Sequence, residues 1–337
     1  MKKTVEMIFE YKNVIMKPPQ SGEEMYGQAC SNDKVTVDTW LPKWIANVKA
    51  NKERFGDFKS RGIGQLYASN KHRPCIVVGS GPSLKNNIDE LAKVKDIPIV
   101  SCLHNYHYMV DHDVKVDYYV SLDAGDVVIE EITEGGTKTT EEYLESTKGK
   151  TLLAFIGSSP KLFDSWRGEV LFFNCPVPSD QYREEVRKVE EFHTLVSTGG
   201  NVLGACTYIA KAIMGSNPIV FVGADFCFSY TRQFHPWDSK YDADIGQAMR
   251  AIDVWGNSVL TWQSYHNFKI WFDWLSGNVP GIYINCTEGG LLGSYPEGNI
   301  ATIYQMRLTD FLWQYTMYEQ IGPQCLEPDK EQRLVLF

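Results

Sequence analysis

Asp123-Ala124-Gly125-Asp126 sets two carboxylates three residues apart, directly after the apolar run 116–122 (VDYYVSL). Such a pair could hold Mg²⁺ through waters against donor phosphates. One of the two could instead act as general base toward an acceptor hydroxyl. A turn with two capping aspartates has the same composition. His235, in TRQFHPW, is a second candidate base and equally an ordinary loop histidine. His104, His107 and His112 suggest a metal site, because H-x-x-H puts two imidazoles on one side of a helix. No H-E-x-x-H string or cysteine partner supports zinc there.

Three glycine clusters could do a different chemistry. They are Gly79-Ser80-Gly81-Pro82-Ser83, Ser197-Thr198-Gly199-Gly200-Asn201 and Thr287-Glu288-Gly289-Gly290. Glycine permits left-handed backbone and close approach of a ligand. A helix that follows offers free N–H groups and a positive dipole end to phosphate. A single cluster of this kind could be no more than a turn. Three of them, each at a strand end in one sheet, favour a site, since open α/β sheets bind ligands at the carboxyl ends of their strands.

The familiar phosphate motifs are absent. Leu84 stands where a dinucleotide fingerprint has its third glycine, and the second strand (IVSCLHN) ends without the ribose-binding acid. No G-x-x-x-x-G-K-[ST] string occurs. Hydride transfer and ordinary P-loop NTPase chemistry are therefore disfavoured. A nucleotide site with another grammar remains.

The elements that must position these residues follow from the patterning. From Arg73 onward, short β-branched runs alternate with helical periodicity: CIVV, IPIVSC, VDYYVSL, TLLAFIG, EVLFFN, PIVFVGADF and GIYINC. That alternation predicts an α/β fold, a Rossmann-like doubly wound and mostly parallel sheet. Residues 1–70 read as a helical N-terminal extension, with Trp40, Trp44, Ile45 and Val48 on one face. Residues 71–300 read as the nucleotide-binding domain and 301–337 as a closing helix and tail. The stretch 247–276 reads as mostly helical with a break near Gly256. It would then carry Trp255, Trp262, Trp271 and Trp274 in one helical layer, as core or subunit interface. A pterin or sugar ring could also stack there. Residues 123–145 hold eight acids against the single base Lys138 and read as a solvated loop.

Composition sets the outer limits. The 337 residues carry 33 basic and 42 acidic side chains, a net charge of −9. This balance gives no general footprint for nucleic acid or an anionic membrane surface. No run approaches the roughly 18 apolar residues of a membrane span. The N-terminal apolar stretch is interrupted by Glu6 and Glu10, unlike a signal peptide. The eight cysteines form no C-x-x-C pair, and Cys75 and Cys206 sit inside apolar runs. A reduced, cytoplasmic protein is expected.

Four segments in order, CIVVGSGPSL, VDYYVSLDAGD, STGGNVLGACTYIAKAIMGSNPIVFVGADFCFS and INCTEGGLLGS, together resemble the 6-hydroxymethylpterin diphosphokinase MptE-like family. That family includes motility accessory factors implicated in glycosylating flagellin. WIANVKANKERF resembles the asparagine-containing helix upstream of the glycine turn in that group, and the first two glycine motifs are similar to those of bacterial CMP-sialic acid transferases. The resemblance spans roughly residues 40–300.

It implies a Rossmann-like transferase that binds a nucleotide-activated donor. Gly79, Ser80, Gly81, Pro82 and Ser83 would cradle phosphate. Asn105 would contact ribose or phosphate, and Asp123 would face the same crevice. Ser197, Thr198, Gly199, Gly200 and Asn201 would line the nucleotide pocket. Asp225, Thr287, Glu288, Gly289 and Gly290 would close it. Two chemistries are implied. In one, a hydroxyl of a glycan or protein attacks a CMP-activated nonulosonate sugar. In the other, a hydroxymethyl-dihydropterin attacks ATP, with Mg²⁺ held by Asp123 and Asp126. The long flanks and the upstream helix favour the first, and the family's name points to the second. A catalytically silent nucleotide-binding or assembly module is the third reading, since fold does not fix function.

Overall fold

The computed structural model describes residues 22–189, 194–237, 248–294 and 301–321. The N-terminal apolar stretch with Glu6 and Glu10, and Cys325, lie outside the described residues.

Helix α1 (Gly22–Phe55) leads in. Val37, Leu41, Trp44, Ile45 and Val48 recur at helical spacing and turn onto the core. Asn47 and Asn51 lie on α1 one turn apart and are buried.

Eight parallel strands form the sheet. They are β1 (Cys75–Val78), β2 (Ile99–Cys102), β3 (Tyr118–Ser121), β4 (Thr151–Phe155), β5 (Glu169–Phe173), β6 (Ile219–Val222), β9 (Tyr283–Asn285) and β10 (Tyr304–Gln305), in the spatial order β10-β9-β6-β1-β2-β3-β4-β5. Strands β1, β2 and β6 are buried along their whole length, as a sheet covered on both faces requires. The helices between strands are α2 (Leu84–Leu91), α3 (Tyr106–Asp111), α4 (Val128–Thr133), α5 (Thr140–Ser146), α6 (Pro160–Ser165), α7 (Asp180–Val189) and α8 (Val202–Tyr208). A π-turn (Ile209–Ile213) extends α8. The predicted α/β, doubly wound architecture is the one observed.

The chain lays β1 to β5 outward in one direction, then returns to the other side of β1 with β6. The winding therefore reverses between β1 and β6. A crevice opens at such a switch point beyond the strand ends.

Two segments differ from their reading in sequence. The first half of 247–276 is not helical: β7 (Met249–Ile252) and β8 (Ser258–Thr261) form an antiparallel hairpin. Gly256, at φ +83°, makes its turn. Helix α9 (Gln263–Asn278) starts only afterwards, so Trp255 lies in the hairpin turn and Trp262 precedes the helix. The acidic stretch 123–145 is not a plain loop. It folds into α4 and α5, the latter opened by a Thr139–Glu142 capping box. The last helix among the described residues is α10 (Leu308–Ile321). Among the described residues no helix is long and apolar enough to cross a membrane. Cys75, Cys102, Cys175, Cys206, Cys227 and Cys286 are free thiols.

Candidate functional site

A cleft of about 260 Å³ opens at the switch point. Gly79, Ser80 and Gly81 follow β1 and form one wall; Gly223, Ala224 and Asp225 follow β6 beside them. Asp123, beyond β3, and Asn201, Val202 and Leu203, at the start of α8, face the same space. So do His104, His235 and the rings of Phe226, Phe234, Tyr265 and Phe268.

The two strand-end turns touch closely. The Gly79 N–H donates to Val222 O (2.9 Å) and the Gly81 N–H to Gly223 O (2.9 Å). A Cβ on Gly79 would stand 2.5 Å from Gly223 O, and one on Gly81 2.0 Å from Asp225 Oδ2. Glycine is required here by protein packing as much as by any ligand. Ser83 is off the cleft wall. Its hydroxyl donates to Asp225 Oδ2 (2.7 Å) and its N–H to Oδ1 (3.2 Å). The Asp225 carboxylate thus caps the turn that opens α2, a place where an anion is favoured. Burial pushes the Asp225 carboxyl up to about 7, against the bonds from Ser83 that lower it. Pro82 lies outside the lining.

Asn105 is fully buried beneath the turn. Its amide donates to Gly79 O (3.0 Å) and Ser101 Oγ (3.1 Å), so it braces the glycine loop from below.

Asp123 and Asp126 part ways. Asp123 is on the cleft, with Oδ1 accepting the Gly125 N–H (3.0 Å) in an Asx turn. Asp126 is on the surface, where it takes the Ser159 hydroxyl (3.1 Å), Lys43 Nζ (3.3 Å) and Lys161 Nζ (3.3 Å). Those contacts, Ser159 first and then the lysines, hold its carboxyl below the usual range. The pair therefore does not fit a shared magnesium site. Among the described residues no three His, Cys, Asp or Glu side chains gather as metal ligands would. The Asp123 loop is anchored from α1: the Asn47 amide donates to Ala124 O (3.2 Å) and Gly157 O (3.0 Å). The Asn51 amide donates to Ile156 O and Ser158 O, both at 2.9 Å.

His235 roofs the cleft. Its Nδ1–H donates to Ser80 O (2.8 Å), and its ring stacks on His104 (4.6 Å) and Trp237 (4.7 Å). Of the other two candidate metal histidines, His107 is buried edge-on to Trp237, and His112 bonds Tyr108 O within its own helix.

The second glycine cluster has a different neighbour from the one expected. Gly199 (φ +56°) and Gly200 (φ +85°) lie under α9: a Cβ would meet the Trp271 ring at 2.3 Å and the Phe268 ring at 2.9 Å. Thr198 Oγ1 accepts the Gly200 N–H (3.2 Å), and Asn201 caps α8 by accepting the Gly204 N–H (2.8 Å). Only Asn201 of the 197–201 group lines the cleft. The third cluster stands behind Asp225. Thr287 Oγ1 accepts the Ala224 N–H (3.0 Å), Glu288 accepts the Leu308 N–H (3.1 Å), and a Cβ on Gly290 would stand 2.6 Å from the Asp225 Cα. A Cβ on Gly289 would meet only the Trp255 indole, at 4.0 Å.

Sequence reasoning did not assign the aromatic wall. Phe226, Phe234, Tyr265 and Phe268 come from three separate stretches, and α9 follows the β7–β8 hairpin in the chain. The one available signal was the density of rings in FCFSYTRQFHPW and WQSYHNF.

Residues 44–231 match the family model described as 6-hydroxymethylpterin diphosphokinase MptE-like. Among solved structures the chain is similar to the MAf glycosyltransferase from Magnetospirillum magneticum AMB-1, with a TM-score of 0.50 and 16% identity over 74% of this chain. The match spans 38% of that protein's chain, and the likeness is one of fold. No curated protein matches.

Proposed function

The chain belongs to the 6-hydroxymethylpterin diphosphokinase MptE-like family, and from that premise we propose a nucleotide-dependent transferase that moves a nonulosonate-type sugar from a CMP-activated donor to a hydroxyl acceptor. The observation that carries this reading is the switch-point cleft, where the Gly79 turn, the first turn of α8 and Asp123 share one space. The Ser80 backbone, between the bonded Gly79 and Gly81 N–H groups, and the first turn of α8 receive the donor phosphate. Asp123 accepts the proton of the acceptor hydroxyl. The acceptor oxygen bonds to the anomeric carbon as the bond from that carbon to the phosphate oxygen breaks. CMP leaves with the electron pair.

His235 acts here by position, bonded to Ser80 across the roof of the cleft. Asp225 fixes the turn through Ser83. The placement of Asp126 supports sugar transfer over diphosphoryl transfer, since its carboxylate is engaged by Lys43 and Lys161 rather than paired with Asp123. The acceptor is a glycan or protein hydroxyl.

A thermal-shift screen of CMP, CDP, ATP, GTP and UDP, with and without Mg²⁺, tests the proposal, because a ligand bound to the native state raises Tm by mass action. Selective stabilisation by CMP is expected. Selectivity for ATP with Mg²⁺ would instead assign the diphosphokinase reaction. No shift with any nucleotide would leave a silent module.

A further inference from the structure

The cleft has one polar side and one side made of rings. Phe268 and Tyr265 stand one turn apart on α9, and both are partly exposed on the cleft wall. Their ring centroids are 5.9 Å apart. Phe234, itself on the cleft, lies near-parallel to Tyr265 at 5.4 Å and 22°, with Trp262 at 5.6 Å from Tyr265. Phe228 packs edge-on against Trp262 (5.1 Å, 89°) and closes the stack from behind. The rings are therefore held in place by other rings.

The glycines opposite are shaped for the same purpose. Gly200 lies at a φ of +85°, and any side chain there would push into the Phe268 ring. Asn201 spends its Oδ1 on capping α8, which fixes the backbone around Gly200. Part of the second glycine cluster thus serves to seat Phe268 on the cleft.

Resting on the nucleotide-dependent reading above, we infer that Phe268 and Tyr265 form the stacking seat for the planar nitrogen heterocycle of the bound substrate, while its anionic end points to the Gly79 turn. A flat heterocycle joined to a phosphate matches a wall of partly exposed aromatics that shares one cleft with the Gly79 turn. Base–aromatic stacking tolerates different bases because each has a π-face. Cytosine, adenine and a dihydropterin share that chemistry, and the probes separate them.

The test is calorimetric titration of the full chain with CMP, ATP, hydroxymethyl-dihydropterin and ribose 5-phosphate. The ring-bearing probe that binds wild type should lose about ten- to a hundredfold in affinity on Phe268→Leu, the loss expected for one base–aromatic stack. Tyr265→Leu should act in the same direction. Phe268→Tyr, which keeps the ring, should stay within a few-fold of wild type. Ribose 5-phosphate, which has no base, should bind all variants alike. Hypochromism of the bound base in wild type provides a readout that needs no variant. Ring binding that is unchanged in both leucine variants with intact circular dichroism, or a bound base without hypochromism, overturns the seat alone. If no ring-bearing probe binds wild type, the seat and the proposed function fail together.

Discussion

The Ser83 hydroxyl reaches across the sheet's switch point to Asp225 Oδ2 at 2.7 Å, and joins the turn after β1 to the end of β6. A carboxylate thus occupies the start of α2, where many nucleotide-binding folds place phosphate. The burial that raises Asp225 to about 7 makes this joint sensitive to pH. In the unfolded chain the group ionises near its ordinary value, so between about pH 4 and 7 the native state binds more protons. The contribution of Asp225 to stability is complete below that window and is lost as pH rises through about 7. The slope is at most about 1.4 kcal/mol per pH unit. Asp225→Asn should remove it. Melting temperatures of wild type and variant at pH 4.5, 6 and 7.5 should lie closest at the acid end, where the amide stands in for the protonated acid, and diverge as pH rises, with wild type falling behind.

Gly81 and Gly277 should respond to alanine in opposite directions. At Gly81 the new Cβ would meet the Asp225 side chain, with Oδ2 at 2.0 Å, and the backbone Gly223 O at 2.7 Å. Gly81→Ala should cost about 1–3 kcal/mol, the usual cost of overpacking, and weaken nucleotide binding. At Gly277, inside α9, nothing lies within 4 Å. Gly277→Ala should be neutral or stabilise by up to about 1 kcal/mol through helix propensity. Urea denaturation of the two variants measures both effects.

The sheet was legible because each strand is a short β-branched run punctuated by glycine or a polar turn. The period switches cleanly from CIVV to KNNIDELAKV, and the structure has β1 and α2 there. The hairpin at 249–261 was not legible because its apolar residues are few and mixed. Met249 is buried and Ile252 exposed on β7, while Val259 and Thr261 are buried on β8. Over four residues that alternation is hard to tell from a helical face, especially with aromatics at both ends. Position on the cleft was legible where it follows from a strand end, as for Gly79, Asp123 and Asp225. It was not legible where tertiary contacts decide what a polar atom does. Nothing local to DAGD shows that Asp126 meets Lys43 from α1, or that Asn201 caps its own helix.

Asn51 sits in the interior with its amide shared between the carbonyls of Ile156 and Ser158. These belong to the loop after β4, and Asn47 one turn away holds the Asp123 loop in the same manner. Asn51→Ala leaves two buried acceptors unpaired and should cost about 2–4 kcal/mol. Asn51→Asp should cost more than alanine at neutral pH, since a carboxylate would face two carbonyl oxygens in a dry site. Equal destabilisation of the two variants in urea would contradict this account of α1 as a clamp.

Asp123 and Asp126 are three residues apart, yet they should behave unlike each other in turnover. Asp123 faces the cleft, and its carboxylate is the group assigned to take the acceptor proton. Asp123→Ala should lower kcat by at least about a hundredfold, the scale of a lost general base, while the circular dichroism and Tm stay near those of wild type. Asp126 is exposed and bound to Lys43, Lys161 and Ser159 outside the cleft. Asp126→Asn should leave kcat and KM near wild type. Its effect should be confined to the salt dependence of stability, because exposed ion pairs are screened. Steady-state transfer assays with whichever donor the thermal-shift screen selects decide between the two positions. Comparable losses in both variants would return Asp126 to the reacting centre and overturn the separation argued from its lysine partners.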